Sequence, residues 1–356
     1  MGGYFCKKRK KLEKAQVIEE IAEKEEEEKI SYKVVNEVKP ISKYYSIKTL
    51  IKISEEKFVG FSTDNMIGIY YFDEGGIKYK TIESPIIVNY VIKLSDNRFL
   101  NCSSTKMHIF SIDFEKEKFQ IEQKIELPSD DPGLMSIELS NGNLISTGIY
   151  KGSLLIWTKN KDNQYTLLKK KNDILGCNGN CLFEISNDGI VAASSTYELL
   201  FINSDNLKVN ETIPDIITDD IDRNEFCKIS DDILAVGGGY GYGIYLISIS
   251  KKNLIKQIKT YNDKIINCIY KLKNGLILTS GYINQGFNGQ ITDLEVWEFD
   301  EKNISLKNMS TIEEVEYAPI SSIIELDCKK DYTFDFITGS LSGFVRVWKE
   351  KIKIVL

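Results

Sequence analysis

The sequence has almost no histidine: His108 is the single one in 356 residues. Hydrolytic triads and many zinc sites need at least one histidine and often several, so those chemistries are not expected. No apolar run reaches the ~18 residues that would mark a membrane-spanning helix. The first six residues lead straight into a basic cluster, which is not the pattern of a secretory signal. The seven cysteines, at positions 6, 102, 177, 181, 227, 268 and 328, are odd in number and irregular in spacing. That is no disulfide framework, and it points to a reducing, cytoplasmic compartment. The formal net charge of −6 lacks the basic surface that a general nucleic-acid binder needs to displace counterions from phosphate. Cofactor motifs are lacking too. The glycine run at 237–243 precedes a strand pattern at 244–249, whereas a phosphate loop needs a helix N-terminus there. Cys177 and Cys181 form a C-x3-C pair with no second pair and no histidine nearby, so no metal is expected there either.

What the chain does have is an internal repeat. Seven segments share one order: an alternating apolar run, a turn rich in Ser, Asp, Asn or Gly, a second run ending in small residues, a loop, and a third run closing on an aromatic. The clearest copies read GLMSIELSNGNLISTGIYKGSLLIW at 133–157, DKIINCIYKLKNGLILTSG continuing to DLEVW at 263–297, and PISSIIELDCKKDYTFDFITGSLSGFVRVW at 319–348. The closing aromatics are Tyr70, Phe110, Trp157, Phe201, Tyr245, Trp297 and Trp348. Their spacing of about 40–52 residues suits one four-stranded sheet per copy. A four-stranded sheet cannot bury its apolar face alone, so stacking the sheets radially makes each one its neighbour's core. The expected fold is all-β, a seven-bladed propeller spanning residues 31–356. The small residues at 146–148, 194–195, 279–281 and 338–340 suit the crowded region where strands meet. The segment Tyr32–Val38 alternates suitably and is expected to pair onto blade seven as its missing outer strand, closing the ring and removing open sheet edges.

The third, sixth and seventh copies resemble WD40 repeats of the Gβ kind, with small–small–Gly followed by apolar-x-Val/Ile-Trp. The resemblance implies a non-enzymatic scaffold that binds a protein or peptide. The Gly-His pair that usually opens such repeats is missing everywhere, and the Asp of the tight turn before the third strand is clear only as Asp64. The hydrogen-bonded tetrad that the family builds from these residues is therefore expected to be absent, leaving the fold to rest on packing.

Residues 1–30 differ in kind. Leu12, Ala15, Ile18, Ile21 and Ala22 have roughly helical spacing within a strongly charged stretch, which fits either a solvated helix or a disordered arm. Ahead of it, MGGYFC resembles an N-myristoylation signal. Gly2 follows the initiator Met, but Cys6 stands where the motif prefers Ser or Thr. Cys6 is also a candidate for palmitoylation. One acyl chain gives only marginal membrane binding, and the five basic residues at 7–11 offer a further signal toward anionic lipid. The alternative is an unmodified arm that keeps the tail soluble or binds an acidic partner.

On a propeller of this type one face collects the loops leading into each inner strand and those between second and third strands. Tyr240 and Tyr242 in the blade-five glycine loop, with Tyr282 and Phe287 in the blade-six insert at 282–293, are expected to form an aromatic patch. Tyr150 and Tyr197 hold matching positions in blades three and four. Tyrosines on glycine-flanked loops give large contact area at low entropy cost; the plainer role is covering the blade tops. Asp130, Asp131, Asp215, Asp219, Asp220 and Asp222 would make this face acidic, although solvated loop charge explains them as well. The leading reading is a scaffold, optionally tethered to the cytoplasmic face of a membrane. The rivals are a structural part of a cytoskeletal, ciliary or coat assembly, and a propeller enzyme with a carboxylate-lined channel, disfavoured because no acid pair recurs at the inner-strand starts. Fold alone settles none of these.

Overall fold

A computed structural model of the chain describes residues 30–351, except 40–44, 75, 89, 104, 177–180, 217–224, 238–242, 261–263, 285–289, 317 and 328–333. The described residues form seven four-stranded antiparallel sheets and contain no helix. Blades one to six cover residues 47–83, 90–126, 133–171, 181–213, 226–258 and 265–316, each in simple sequential strand order. Blade seven takes its three inner strands from 320–350 and its outer strand from Tyr32–Val38. That outer strand pairs antiparallel with Val345–Glu350, from Tyr32 opposite Glu350 to Val38 opposite Val345. Arg346 Nε donates to Glu37 Oε2 at 2.6 Å across the seam, and the Tyr32 ring packs edge-on against Phe336 at 5.0 Å. The first and last described strands thus share one sheet, and the outer edge of Val345–Glu350 is covered. The N-terminal tail lies outside the described residues, including the helix expected from residue 12, Gly2 and Cys6.

The core is not central but lies between blades. Seven apolar clusters each join residues of adjacent sheets, from Val59, Phe61 and Phe110 between blades one and two to Ile47, Tyr70 and Val347 between blades seven and one. All seven closing aromatics are buried, so the repeat's most regular feature fills the gaps that widen with radius. The expectation that packing alone supports the fold is corrected in three blades. Trp157 Nε1 donates to Ser146 Oγ at 2.8 Å, Trp297 Nε1 to Thr279 Oγ1 at 2.8 Å, and Trp348 Nε1 to Thr338 Oγ1 at 2.9 Å. A buried indole N–H needs such a partner, and the small residue on the second strand provides it.

One face of the disc is stitched by charge. Near the end of each inner strand stands Lys52, Lys93, Glu138, Glu184, Lys228, Lys271 or Glu325. Glu138 accepts from the Ser95 amide at 2.6 Å and hydroxyl at 2.9 Å in the preceding blade. Glu184 does the same for Ser140, at 2.9 Å and 2.8 Å. Glu325 accepts from the Lys273 amide, Lys271 Nζ donates to the Ile229 carbonyl, and Lys52 pairs with Asp327. These latches tie the first hairpins of blades two, three, five, six and seven to the next blade. The opposite face, which carries the loops between second and third strands, bears the candidate site.

Candidate functional site

In three blades the second and third strands are joined by turns of one design, at 62–66, 194–198 and 340–344. Each opens on serine: Ser62, Ser194 or Ser340. Its hydroxyl bonds the side chain two residues on, namely Asp64, Thr196 at 2.8 Å or Ser342 at 2.8 Å. In the last two turns it also accepts the amide of Glu198 at 3.3 Å or Phe344 at 3.2 Å. The fourth residue is left-handed: Asn65 at φ 61°, Tyr197 at φ 67° and Gly343 at φ 85°. Asparagine and glycine tolerate this conformation, whereas a tyrosine there is strained. Tyr197 is held in it by its carbonyl, which accepts the Ile216 amide at 3.0 Å.

Tyr150, in the equivalent loop of blade three, is 68% exposed although its backbone is fixed. The Asp131 carboxylate accepts the amides of Tyr150 at 2.9 Å and Lys151 at 2.8 Å. Asp131 is buried, and a Cβ on Gly148 would collide with its carboxylate, which is why the strand ends on glycine. Asp130 beside it is exposed and paired with Lys151, whose hydrogen bond draws the carboxyl below its ordinary value. These two aspartates are therefore a loop anchor and half of a surface ion pair rather than free acidic surface. Asp215 is exposed, and Asp219, Asp220 and Asp222 lie outside the described residues.

A strap joins the two tyrosine-bearing turns. The Asp173 amide donates to the Lys151 carbonyl at 3.0 Å, the Leu175 amide to Gly152 at 3.0 Å, and the Ser195 amide to the Leu175 carbonyl at 2.9 Å. Leu175 is fully buried beneath. Tyr150 and Tyr197 thus stand on one hydrogen-bonded platform spanning blades three and four. The platform, the anchoring role of Asp131 and the left-handed Tyr197 go beyond what the sequence suggests.

Of the patch expected on blades five and six, only Tyr282 lies among the described residues. Tyr282 is not in a loop: it lies within the strand Ile277–Asn284, paired with Ile265 on one side and Thr292 on the other, and is half-buried. The hairpin runs further than its sequence suggests because 290–292 continue the pairing outward. Tyr240, Tyr242 and Phe287 lie outside the described residues. Blade six also buries charge the sequence did not flag. Lys264, just before the inner strand, pairs with Asp293, and Thr279, which receives the Trp297 indole N–H, in turn donates to Glu295 at 3.2 Å. Lys264 and Asp293 are both buried, and their pairing offsets part of the cost of taking two charges out of water.

Among the described residues no group of three or more His, Cys, Asp or Glu side chains could hold a metal. Cys102, Cys181, Cys227 and Cys268 are buried or half-buried and form no disulfide among the described residues. Burial pushes all four up, Cys102 and Cys227 to about 11, which keeps them from acting as thiolate nucleophiles. Cys177 lies outside the described residues.

No family model matches the sequence, and no curated protein matches it. Among solved structures the chain is similar to the WD40 β-propeller domain of Doa1, with a TM-score of 0.65 and 16% identity over 91% of this chain and 98% of that one. At that identity the similarity shows the WD40-type propeller fold and nothing finer.

Proposed function

We propose that the protein is a non-enzymatic interaction scaffold that binds a protein or peptide through the face carrying the turns between second and third strands, centred on Tyr150 and Tyr197. The observation that carries this reading is the strapped platform. It fixes the backbone of both turns while leaving one tyrosine ring exposed and holding the other in a strained conformation. A rigid aromatic anchor loses little entropy on binding, and backbone strain concentrates where function requires a particular side chain. On sequence grounds alone, we propose that the loop residues Tyr240, Tyr242 and Phe287 add contacts to the same partner.

The test is affinity capture from cells with Tyr150→Ala and Tyr197→Ala, alone and together. Anchors of this kind contribute about 2 kcal/mol each, a loss of roughly thirtyfold in affinity. Capture that is unchanged in the double variant contradicts the assignment. The tail adds a separate proposal on sequence grounds: acylation of Gly2 and Cys6, helped by the basic residues at 7–11, tethers the propeller to the cytoplasmic face of a membrane. Intact-mass measurement after eukaryotic expression tests it, and an unmodified mass contradicts it.

A further inference from the structure

We propose that the groove between blades one and two holds a peptide segment presenting an aliphatic side chain beside a carboxylate. This site is separate from the platform on blades three and four and does not depend on it. The groove is about 420 Å³, and Pro85, Ile86, Ile87, Ile121, His108 and Lys124 line it. That volume suits a side chain or two rather than a whole domain.

Its blade-one wall is the loop leading into blade two. Ser84 Oγ donates to the Ile86 carbonyl at 2.9 Å, and Asn101 Nδ2 donates to the Ile87 carbonyl at 2.9 Å. The backbone is thus pinned while the Ile87 side chain is 64% exposed. Ile86 is buried, and Ile121 packs on the same cluster, so the apolar floor is continuous with the core. An exposed isoleucine on a fixed backbone is an apolar contact already formed before any partner arrives.

The blade-two wall is polar. His108, on the third strand, stands directly opposite Lys124 on the outer strand. His108 is only 8% exposed, and its Nδ1 has no hydrogen-bond partner among the described residues. A buried polar atom without a partner is costly and needs an explanation. Burial, with Lys124 and Lys106 nearby, holds His108 below its ordinary value; Glu126 opposes this but is itself paired with Lys106. Among the described residues no carboxylate pairs with Lys124. The local field is therefore positive in a groove that Ile86, Ile87 and Ile121 also line. A carboxylate meets that field at Lys124 and the His108 ring, and a neighbouring aliphatic side chain covers Ile87.

His108 is the chain's single histidine, so its ring signals in a long-range ¹H–¹⁵N spectrum report this groove alone. The probe is a capped hexapeptide with a central Leu-Glu pair in a Gly/Ser background, added to the ¹⁵N-labelled full chain. Saturable movement of the His108 signals is expected, with affinity weakened about tenfold or more by Lys124→Glu, by Ile87→Ser, and by Gln in place of Glu in the peptide. Both substituted side chains are at the surface, so the variants retain the fold. Tyr150→Ala leaves the titration unchanged, which separates failure here from failure of the platform. Signals that stay still at millimolar peptide overturn the proposal. So does equal movement with the Gln peptide, with sodium acetate, or in the Lys124→Glu variant.

Discussion

Tyr197 offers a test of the site that needs no partner. Its φ of 67° puts an L-residue in the left-handed region, where the Cβ approaches the following carbonyl oxygen at a cost of roughly 1–2 kcal/mol. Glycine escapes that clash but brings more freedom to the unfolded chain, which costs about 0.4–1 kcal/mol relative to alanine. Replacing Tyr197 by Ala or by Gly removes the ring in both cases, so its lost packing cancels when the two variants are compared. The remainder is the backbone difference, and Tyr197→Gly should be more stable than Tyr197→Ala by about 0.5–1 kcal/mol. Tyr150 supplies the control, because its backbone is not left-handed. There the order reverses, with Ala above Gly by about 0.4–1 kcal/mol. Urea midpoints followed by tryptophan fluorescence measure both pairs, since all three tryptophans are buried between blades. If Tyr197→Ala equals or exceeds Tyr197→Gly, the turn is not strained and its tyrosine needs no functional explanation.

Three further outcomes follow from the seams. Glu184→Ala strips the acceptor from the Ser140 amide and hydroxyl and should lower stability by about 1 kcal/mol, while Glu184→Gln recovers part of it; no change in urea midpoint contradicts the latch. Trp348→Phe leaves the buried Thr338 hydroxyl without its donor and should cost about 1–3 kcal/mol, whereas a neutral result would return that blade to packing alone. Burial would raise the Asp96 carboxyl, but hydrogen bonds from Arg98 and Lys159 outweigh it and hold the group well below the carboxylate range. A lowered carboxylate contributes stability above its unfolded value near pH 4 and loses it as pH falls further. Because Asp96 is exposed and its pairs are screened by solvent, the wild type should lose about 0.5–1 kcal/mol between about pH 4 and pH 2 that Asp96→Asn does not lose; parallel acid melting curves would refute this.

The seven blades were legible because each copy carries period-2 alternation and a closing aromatic, and both follow from radial packing. The hydrogen bonds were not. Ser146 and Trp157 are eleven residues apart and Asp131 and Tyr150 nineteen, and a short polar residue near a strand end looks the same whether it caps a loop or faces solvent. Asp131 in the run SDDPG accordingly read as surface charge. The positions of Tyr150 and Tyr197 in their loops were readable from flanking small residues. The strain at Tyr197 has a sequence signature: aligning 62–66, 194–198 and 340–344 on their opening serines puts Tyr197 in the slot of Asn65 and Gly343. Tyr282 was misplaced because the blade-six hairpin lengthens through Thr292 and Ile291, residues that look like loop in a sequence rich in Gly, Asn and Gln. The groove beside His108 had no sequence signal, since its walls come from two blades.

Site-specific photo-cross-linking in cells addresses the binding face most directly. A photoreactive residue replaces Tyr150 on the platform or Asn141 in an exposed turn on the stitched face. Discrete cross-links to protein from position 150, absent from position 141, are the expected result. No cross-link from position 150, or the same products from both positions, would contradict a scaffold that binds through its tyrosine-bearing face.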